Sequence, residues 1–233
     1  MTCNPKWKEI ADNLAAHEQV VNRPDLVTRV FELKVNELMD DITKKKVFGT
    51  VTAFMYVIEF QKRGLPHAHV LIHLKKEDKP LTADHLNRLI CAEIPDKEQN
   101  PRLHEIVMRS MIHGPCDQDE RSPCLENGVC SKKFPKNFNE ETTVTEDGYP
   151  KYRRKNDGKK YRTAKDHTVD NRWVVPYNAY LLLKYDCHIN VESCGSVQCV
   201  KYIFKYVYKG HDCMVIKITC PIIHRRKFGM MKY

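Results

Sequence analysis

VTAFMYVIEFQKRGLPHAHVLIHL, Val51 to Leu74, has two halves rich in β-branched and aromatic residues with the period-2 alternation of paired strands. Lys62-Arg63-Gly64-Leu65-Pro66 lies between them and has turn chemistry, so residues 47–61 and the run ending at Leu74 are expected to form an antiparallel β-hairpin. Side chains alternate across a strand. His67, His69, Leu71 and His73 therefore share one face, and Ala68, Val70, Ile72 and Leu74 the other. If Phe54, Tyr56, Ile58 and Phe60 supply the core face of the first strand, Glu59 and Gln61 fall on the histidine face. A loop over 62–66 would pair Gln61 with His67 and Glu59 with His69. Imidazoles and a carboxylate from adjacent strands make a mixed nitrogen and oxygen donor set, suited to Mg²⁺, Mn²⁺, Zn²⁺ or a similar divalent ion. A half-exposed strand whose histidines merely face solvent carries the same alternation.

On either side of the hairpin the periodicity is helical. Asn22-Arg23-Pro24 has the form of a helix start, and Leu26, Val27, Val30, Phe31, Val35 and Leu38 follow at helical spacing to about Asp40. Thr82 to Glu93 and Pro101 to Ile112 predict two further helices, through Leu86, Leu89 and Ile90, then Leu103, Ile106, Val107 and Met111. Apolar periodicity is lost from His113 to Arg172, which reads as loop or insertion. It resumes at Trp173-Val174-Val175-Pro176 and includes an expected strand, Cys187 to Val191. Ser196 to Lys209 reads as a helix stopped by Gly210.

That last helix sets Tyr202 and Tyr206 four residues apart on one face, with Lys205 and Lys209 each one turn from a phenol. A phenol has a reference pKa of about 10, so as a nucleophile it needs a base or a strongly stabilised transition state at its target. A metal-polarised phosphate supplies the latter. Attack on phosphorus would leave a 5′-phosphotyrosine and a free 3′-OH, and two tyrosines would permit two successive transfers. An amphipathic helix with a buried aromatic stripe is the plain alternative.

Two more clusters stand out. His113, Cys116, Cys124 and Cys130 form an H-x2-C-x7-C-x5-C series in a Pro- and Gly-rich stretch with little apolar content, which suggests a structural Zn²⁺ site; free cysteines in a loop are the other reading. Lys151, Arg153, Arg154, Lys155, Lys159, Lys160 and Arg162, interleaved with Tyr149, Tyr152 and Tyr161, offer phosphate contacts and stacking surfaces for single-stranded DNA, or a solvated charged loop. With 39 Lys plus Arg against 30 Asp plus Glu, the 233-residue chain carries a formal charge of +9, which favours a polyanionic partner. The ten cysteines suit thiols or metal ligands better than a disulfide framework. Met1 to Ile10 lacks the apolar segment of a signal peptide, and no apolar run approaches the roughly 20 residues a membrane helix needs. HExxH is absent, which removes the usual zinc-protease signature.

Taken together, these segments resemble the Rep nuclease (helitron helicase-like) domain of Helitron rolling-circle transposases, in the HUH endonuclease superfamily. The resemblance is carried in order by Thr2-Cys3-Asn4-Pro5-Lys6-Trp7, Arg23-Pro24-Asp25-Leu26, Glu59 to His69, Met111 to Cys116, Val175-Pro176-Tyr177-Asn178, His188-Ile189-Asn190-Val191-Glu192 and Tyr202 to Gly210. It implies an α+β fold, an antiparallel sheet flanked by helices. It also implies His67 and His69 as ligands of Mg²⁺ or Mn²⁺, with Glu59 the best match for a third ligand and Gln61 the runner-up. Tyr202 and Tyr206 would be nucleophiles acting on single-stranded DNA at transposon ends, in the nucleus.

The family's apolar strand before Thr-Cys-Asn-Pro has no counterpart, so the sheet is expected to lack one N-terminal strand. No Walker motif of the family's helicase is present in the sequence. The resulting expectation is a nuclease domain over 1–212, a Cys-rich and basic insertion at about 113–172, and a divergent tail over 213–233. A DNA-binding remnant without catalysis is the alternative function.

Overall fold

In the computed structural model the described residues are 1–60, 65–114, 116, 122–145, 149–194 and, by backbone alone, 213–218. The architecture is α+β. Strands β1 (Val51–Phe60) and β2 (Pro66–Leu74) form the expected antiparallel hairpin, and β9 (Cys213–Ile218) adds to the other edge of β1, giving the order β2-β1-β9. The third strand comes from the segment assigned by sequence to the divergent tail, so the sheet extends past the expected boundary at 212. On the free edge of β2, Thr2 bridges His67, the Met1 amine donates to the Ala68 carbonyl at 2.8 Å, and Cys3 N–H donates to the Pro66 carbonyl at 3.0 Å.

The chain turns into β1 at Gly49, whose φ of +107° suits glycine; a Cβ there would lie 2.6 Å from that of Asp78. Asp78 in turn accepts the Thr50 N–H at 2.7 Å, fixing the start of the strand.

Helix α1 (Lys8–Ala11) is a single turn beside α2 (Pro24–Thr43). Proline occupies the first turn of α2, Asp25 follows it, and Arg23 holds both Glu18 and Asp25 at 3.0 Å. Val27, Val30, Phe31, Val35, Leu38 and Ile42 form a buried stripe that packs with Ala68 and Leu74 and with the partly buried Phe54, Tyr56, Ile58, Val70 and Ile72. Each fully buried aliphatic or phenyl side chain contributes about 1.5–3 kcal/mol. The even-numbered face of the hairpin is thus the core face, as the alternation predicts, except at its end, where Phe60, expected in the core, is 54 % exposed.

Helices α3 (Ala83–Leu89) and α4 (Pro101–Ser110) are shorter than the periodicity suggests. Ile106, Val107 and Met111 pack with Val169, Trp173, Val174, Tyr177 and Leu182 in a second core. Three two-stranded ribbons lie in the 113–172 region: β3 (Leu125–Glu126) with β4 (Val129–Cys130), β5 (Thr143–Val144) with β6 (Pro150–Lys151), and β7 (Tyr161–Arg162) with β8 (Thr168–Val169). The region is therefore ordered by local pairing and by its contribution to the second core. Cys187 to Val191, expected as a strand, joins no sheet ladder, although Thr2 N–H donates to the His188 carbonyl at 2.9 Å.

Helix α5 (Ala179–Tyr185) is capped by Asn178, whose side chain accepts the Leu181 N–H at 3.0 Å, and ends at Asp186 in left-handed backbone with φ +45°. The Asp186 carboxylate then binds Arg102 and Arg109 of α4. On its other side α5 is tied to α2 by Asp41, fully buried, which accepts from Tyr185 Oη at 2.6 Å and pairs with Lys184 and Lys45. Burial pushes the Asp41 carboxyl up, but the hydrogen bonds from Lys184, Lys45 and Tyr185 outweigh it and hold the group below the ordinary carboxylate range.

A depressed carboxylate stabilises the fold above its unfolded pKa of about 3.9, and the contribution is lost as pH falls through the folded value. Asp41→Asn should therefore lower unfolding stability by about 2–4 kcal/mol at pH 7 in urea titrations. The gap between variant and wild type should narrow at pH 3; an equal gap at both pH values would count against this ion cluster.

Candidate functional site

The hairpin places Glu59 opposite His67 and Val57 opposite His69. The sequence reading had Glu59 opposite His69 and Gln61 opposite His67. The observed register differs by two residues, because Phe60 pairs with Pro66. A slip of two preserves the faces, so Glu59, His67 and His69 still share one side. Gln61 lies outside the described residues.

Alternate residues on a strand stand about 6.7 Å apart, yet the His67 and His69 ring centroids are 4.5 Å apart at 58°. The two rings lean together. Glu59 reaches diagonally to the same spot, with Oε1 3.1 Å from His69 Nε2. Two donors bound at right angles to an ion at about 2.1 Å would sit about 3.0 Å apart, so this pair has the spacing of adjacent ligands. Val57, opposite His69 on the same face, is fully buried, so that face is covered by protein there.

His67 Nδ1 is hydrogen-bonded to Thr2 Oγ1 at 2.6 Å. The contact orients the ring and leaves Nε2 as the nitrogen available to a ligand. Burial, reinforced by the Met1 amine, His69 and His188, pushes the His67 imidazole down to about 2. It is neutral at physiological pH, the form that binds a metal.

His188 was quoted for the family resemblance but not read as a site residue. Its Nδ1 lies 2.8 Å from the Ser110 carbonyl, which can only accept, so Nδ1 carries the proton and Nε2 the lone pair. Burial pushes the His188 imidazole down, which keeps it in this neutral form. A lone histidine in an extended run gives no sequence signal of this placement.

The second cluster forms as the spacing suggested. One ligand atom each from His113, Cys116, Cys124 and Cys130 lies within 4.8 Å of the others. Cys124 Sγ and Cys130 Sγ are 3.5 and 3.4 Å from His113 Nε2. Tetrahedral bonds of about 2.3 Å to sulfur and 2.0 Å to nitrogen imply about 3.5 Å between such donors, so the four could hold a metal ion. The cluster is anchored from the second core, where His113 N–H donates to the Trp173 carbonyl at 2.8 Å and Ile112 bridges Val174. Burial raises the Cys116 thiol to about 12, with the neighbouring thiols adding to it. At Cys130 burial also raises the thiol, but N–H groups of Phe134 and Lys132 aimed at the sulfur bring it below the ordinary thiol value.

The basic stretch is less open than its composition suggests. Arg154 is 4 % exposed, and its Nη1 donates to the carbonyls of Ala92, Asn171 and Val174 at 3.2, 2.7 and 2.7 Å. This corrects the reading of Arg154 as a DNA contact, since its guanidinium is spent on buried backbone. Burial lowers it to about 10, so it stays charged at neutral pH. Arg153 pairs with Glu93 at 2.9 Å, Lys159 with Asp96 at 3.3 Å, and Arg162 with Asp166. Lys151, Lys155 and Lys160 remain exposed. Tyr202, Lys205, Tyr206 and Lys209 lie outside the described residues.

Among the described residues no helix is long and apolar enough to cross a membrane. No curated protein matches the chain. Residues 1–72, which contain β1, Glu59, His67 and His69, match the family described as the Helitron helicase-like domain at N-terminus.

Proposed function

We propose that the chain is the nuclease part of a Helitron-type rolling-circle transposase of the HUH class, nicking and transferring single-stranded DNA through a phosphotyrosine. The observation that carries the reading is the convergence of Glu59, His67 and His69 on one face of the hairpin, within the segment that matches the Helitron family. Nitrogen and oxygen donors in this arrangement fit Mg²⁺ or Mn²⁺, and Gln61 is the further donor nearest in sequence. When bound, such an ion supplies Lewis-acid polarisation of a phosphate.

The protein residues do the rest. Thr2 fixes the His67 ring, and Glu59 fixes His69. The hydroxyl oxygen of Tyr202 or Tyr206 attacks phosphorus and loses its proton, forming the tyrosine–phosphate ester. The bond from phosphorus to the 3′ oxygen breaks, and that oxygen takes up a proton as the free 3′-OH. Lys205 and Lys209 supply positive charge beside the phenols, while exposed Lys151, Lys155 and Lys160 hold flanking phosphates. The reverse reaction rejoins ends, which is the chemistry rolling-circle transposition needs. The DNA would be a transposon end, the site of action nuclear, and the helicase of the full-length family the cooperating domain.

In the second cluster, three thiolates and one imidazole fit structural Zn²⁺. None of the described residues of 113–130 packs into the second core, and Val129 is exposed, so this segment would owe its local order to that ion.

Two measurements test these assignments. A labelled single-stranded oligonucleotide incubated with the protein and Mn²⁺ should give a covalent adduct in denaturing gels. Tyr202→Phe with Tyr206→Phe should abolish it, and His67→Ala should reduce it at least 100-fold. Salt-sensitive DNA binding with no adduct, across sequences and metals, would instead select a non-catalytic remnant. Purified protein should also contain one equivalent of zinc that disappears in a Cys116→Ser, Cys124→Ser double variant; unchanged metal content would rule the zinc site out.

A further inference from the structure

The turn after Cys130 carries Ser131-Lys132-Lys133-Phe134-Pro135-Lys136, and it is built around the metal-ligating cluster. Main-chain N–H groups of Lys132 and Phe134 point at the Cys130 sulfur. Lys133 N–H donates to the Cys130 carbonyl at 2.8 Å, with Lys133 itself in left-handed backbone at φ +55°. The Phe134 ring stacks on His113 at 4.3 Å and 16°, and the Lys136 ammonium lies 4.8 Å from the centre of the same ring. Lys136 Nζ also donates to the Lys132 carbonyl at 2.7 Å, while Lys136 N–H donates to the Arg172 carbonyl at 3.0 Å. One aromatic ring thus links a ligand of the cluster to a cation, and the cation is locked to the backbone of its neighbours.

The charges presented this way are unbalanced. Lys132 and Lys133 are exposed and Lys136 half-buried, and among the described residues none of the three forms an ion pair. Burial is the main cause that pulls the Lys136 ammonium below its ordinary value, and Arg154 and Lys133 add to it against the opposing effects of Glu192 and Cys130. Nearby Arg172 lies over the Phe138 ring at 4.7 Å but is already paired with Asp170 at 2.6 Å. In the 151–162 stretch, by contrast, Arg153, Arg154, Lys159 and Arg162 are all engaged within the protein. Holding three like charges together costs free energy in the isolated protein, a cost recovered when a polyanion binds.

We infer that Lys132, Lys133 and Lys136 form a phosphate-binding surface for a DNA strand, set in place by the Cys/His cluster. The need for a polyanion follows from the exposed lysines, unpaired among the described residues; the choice of single-stranded DNA rests on the nuclease reading above.

The test is fluorescence anisotropy of a labelled single-stranded oligonucleotide against the full chain, over a range of salt and without added Mg²⁺ or Mn²⁺. Each phosphate contact contributes about 0.7 to the slope of log K against log salt. A Lys132→Ala, Lys133→Ala, Lys136→Ala variant should lose about 2 from that slope and bind at least tenfold more weakly at low salt, with zinc content and melting temperature unchanged. A charge-matched control, Lys8→Ala with Lys75→Ala and Lys76→Ala, should change the slope much less. Lys132→Glu alone, on an exposed side chain, gives the same readout should the triple variant fail to fold. Wild-type affinity and slope in a folded variant would overturn the proposal, and so would a loss no larger than the control's. A duplex of the same sequence bound as tightly would overturn the choice of a single strand. Binding through these lysines without adduct formation would remove the nuclease reading and keep this surface, whereas adduct formation with lysine-independent binding would do the reverse.

Discussion

The register of β1 against β2 is the constraint on which the candidate site depends. Ile58 opposite Ala68 and Phe54 opposite Ile72 turn the apolar set toward α2, and the same geometry puts Glu59, His67 and His69 together on the far face. A slip of one residue would bury the histidines against α2 and expose the core set. The stripe on α2 therefore selects which face of the hairpin is buried, and the donor cluster falls on the opposite face. Thr2 adds a second constraint by pairing with His67 along the free edge of β2 and by bonding its ring.

The two donor clusters lie in differently built parts of the chain. Glu59, His67 and His69 sit on a long hairpin backed by a helix, which suits a site whose geometry must be held firmly. His113, Cys116, Cys124 and Cys130 gather where the local strands are only two residues long. Ser110, at the end of α4, holds His188, and His113 follows three residues later, so one stretch of backbone serves both neighbourhoods.

Strong periodicity made α2 and the hairpin legible. The registers with Glu59 opposite His67 and opposite His69 share one alternation pattern, so only the turn could choose between them, and Pro66, expected in the turn, is the first paired residue of β2. The His/Cys cluster could be read because soft donors in a Pro- and Gly-rich stretch have few other uses. Arg154 could not be told from the cations beside it, since its partners Ala92, Asn171 and Val174 are distant in sequence. Cys213 to Ile218 was missed because six residues beyond the family-like region carry too little pattern to identify a third strand.

The central claim is that Glu59, His67 and His69 together hold one divalent ion. Anomalous diffraction from crystals grown with Mn²⁺, recorded near the manganese edge, tests it most directly. The account predicts one manganese peak about 2.1–2.3 Å from an imidazole nitrogen of each histidine and from a Glu59 carboxylate oxygen. A peak elsewhere, or none in crystals saturated with the ion, would contradict it.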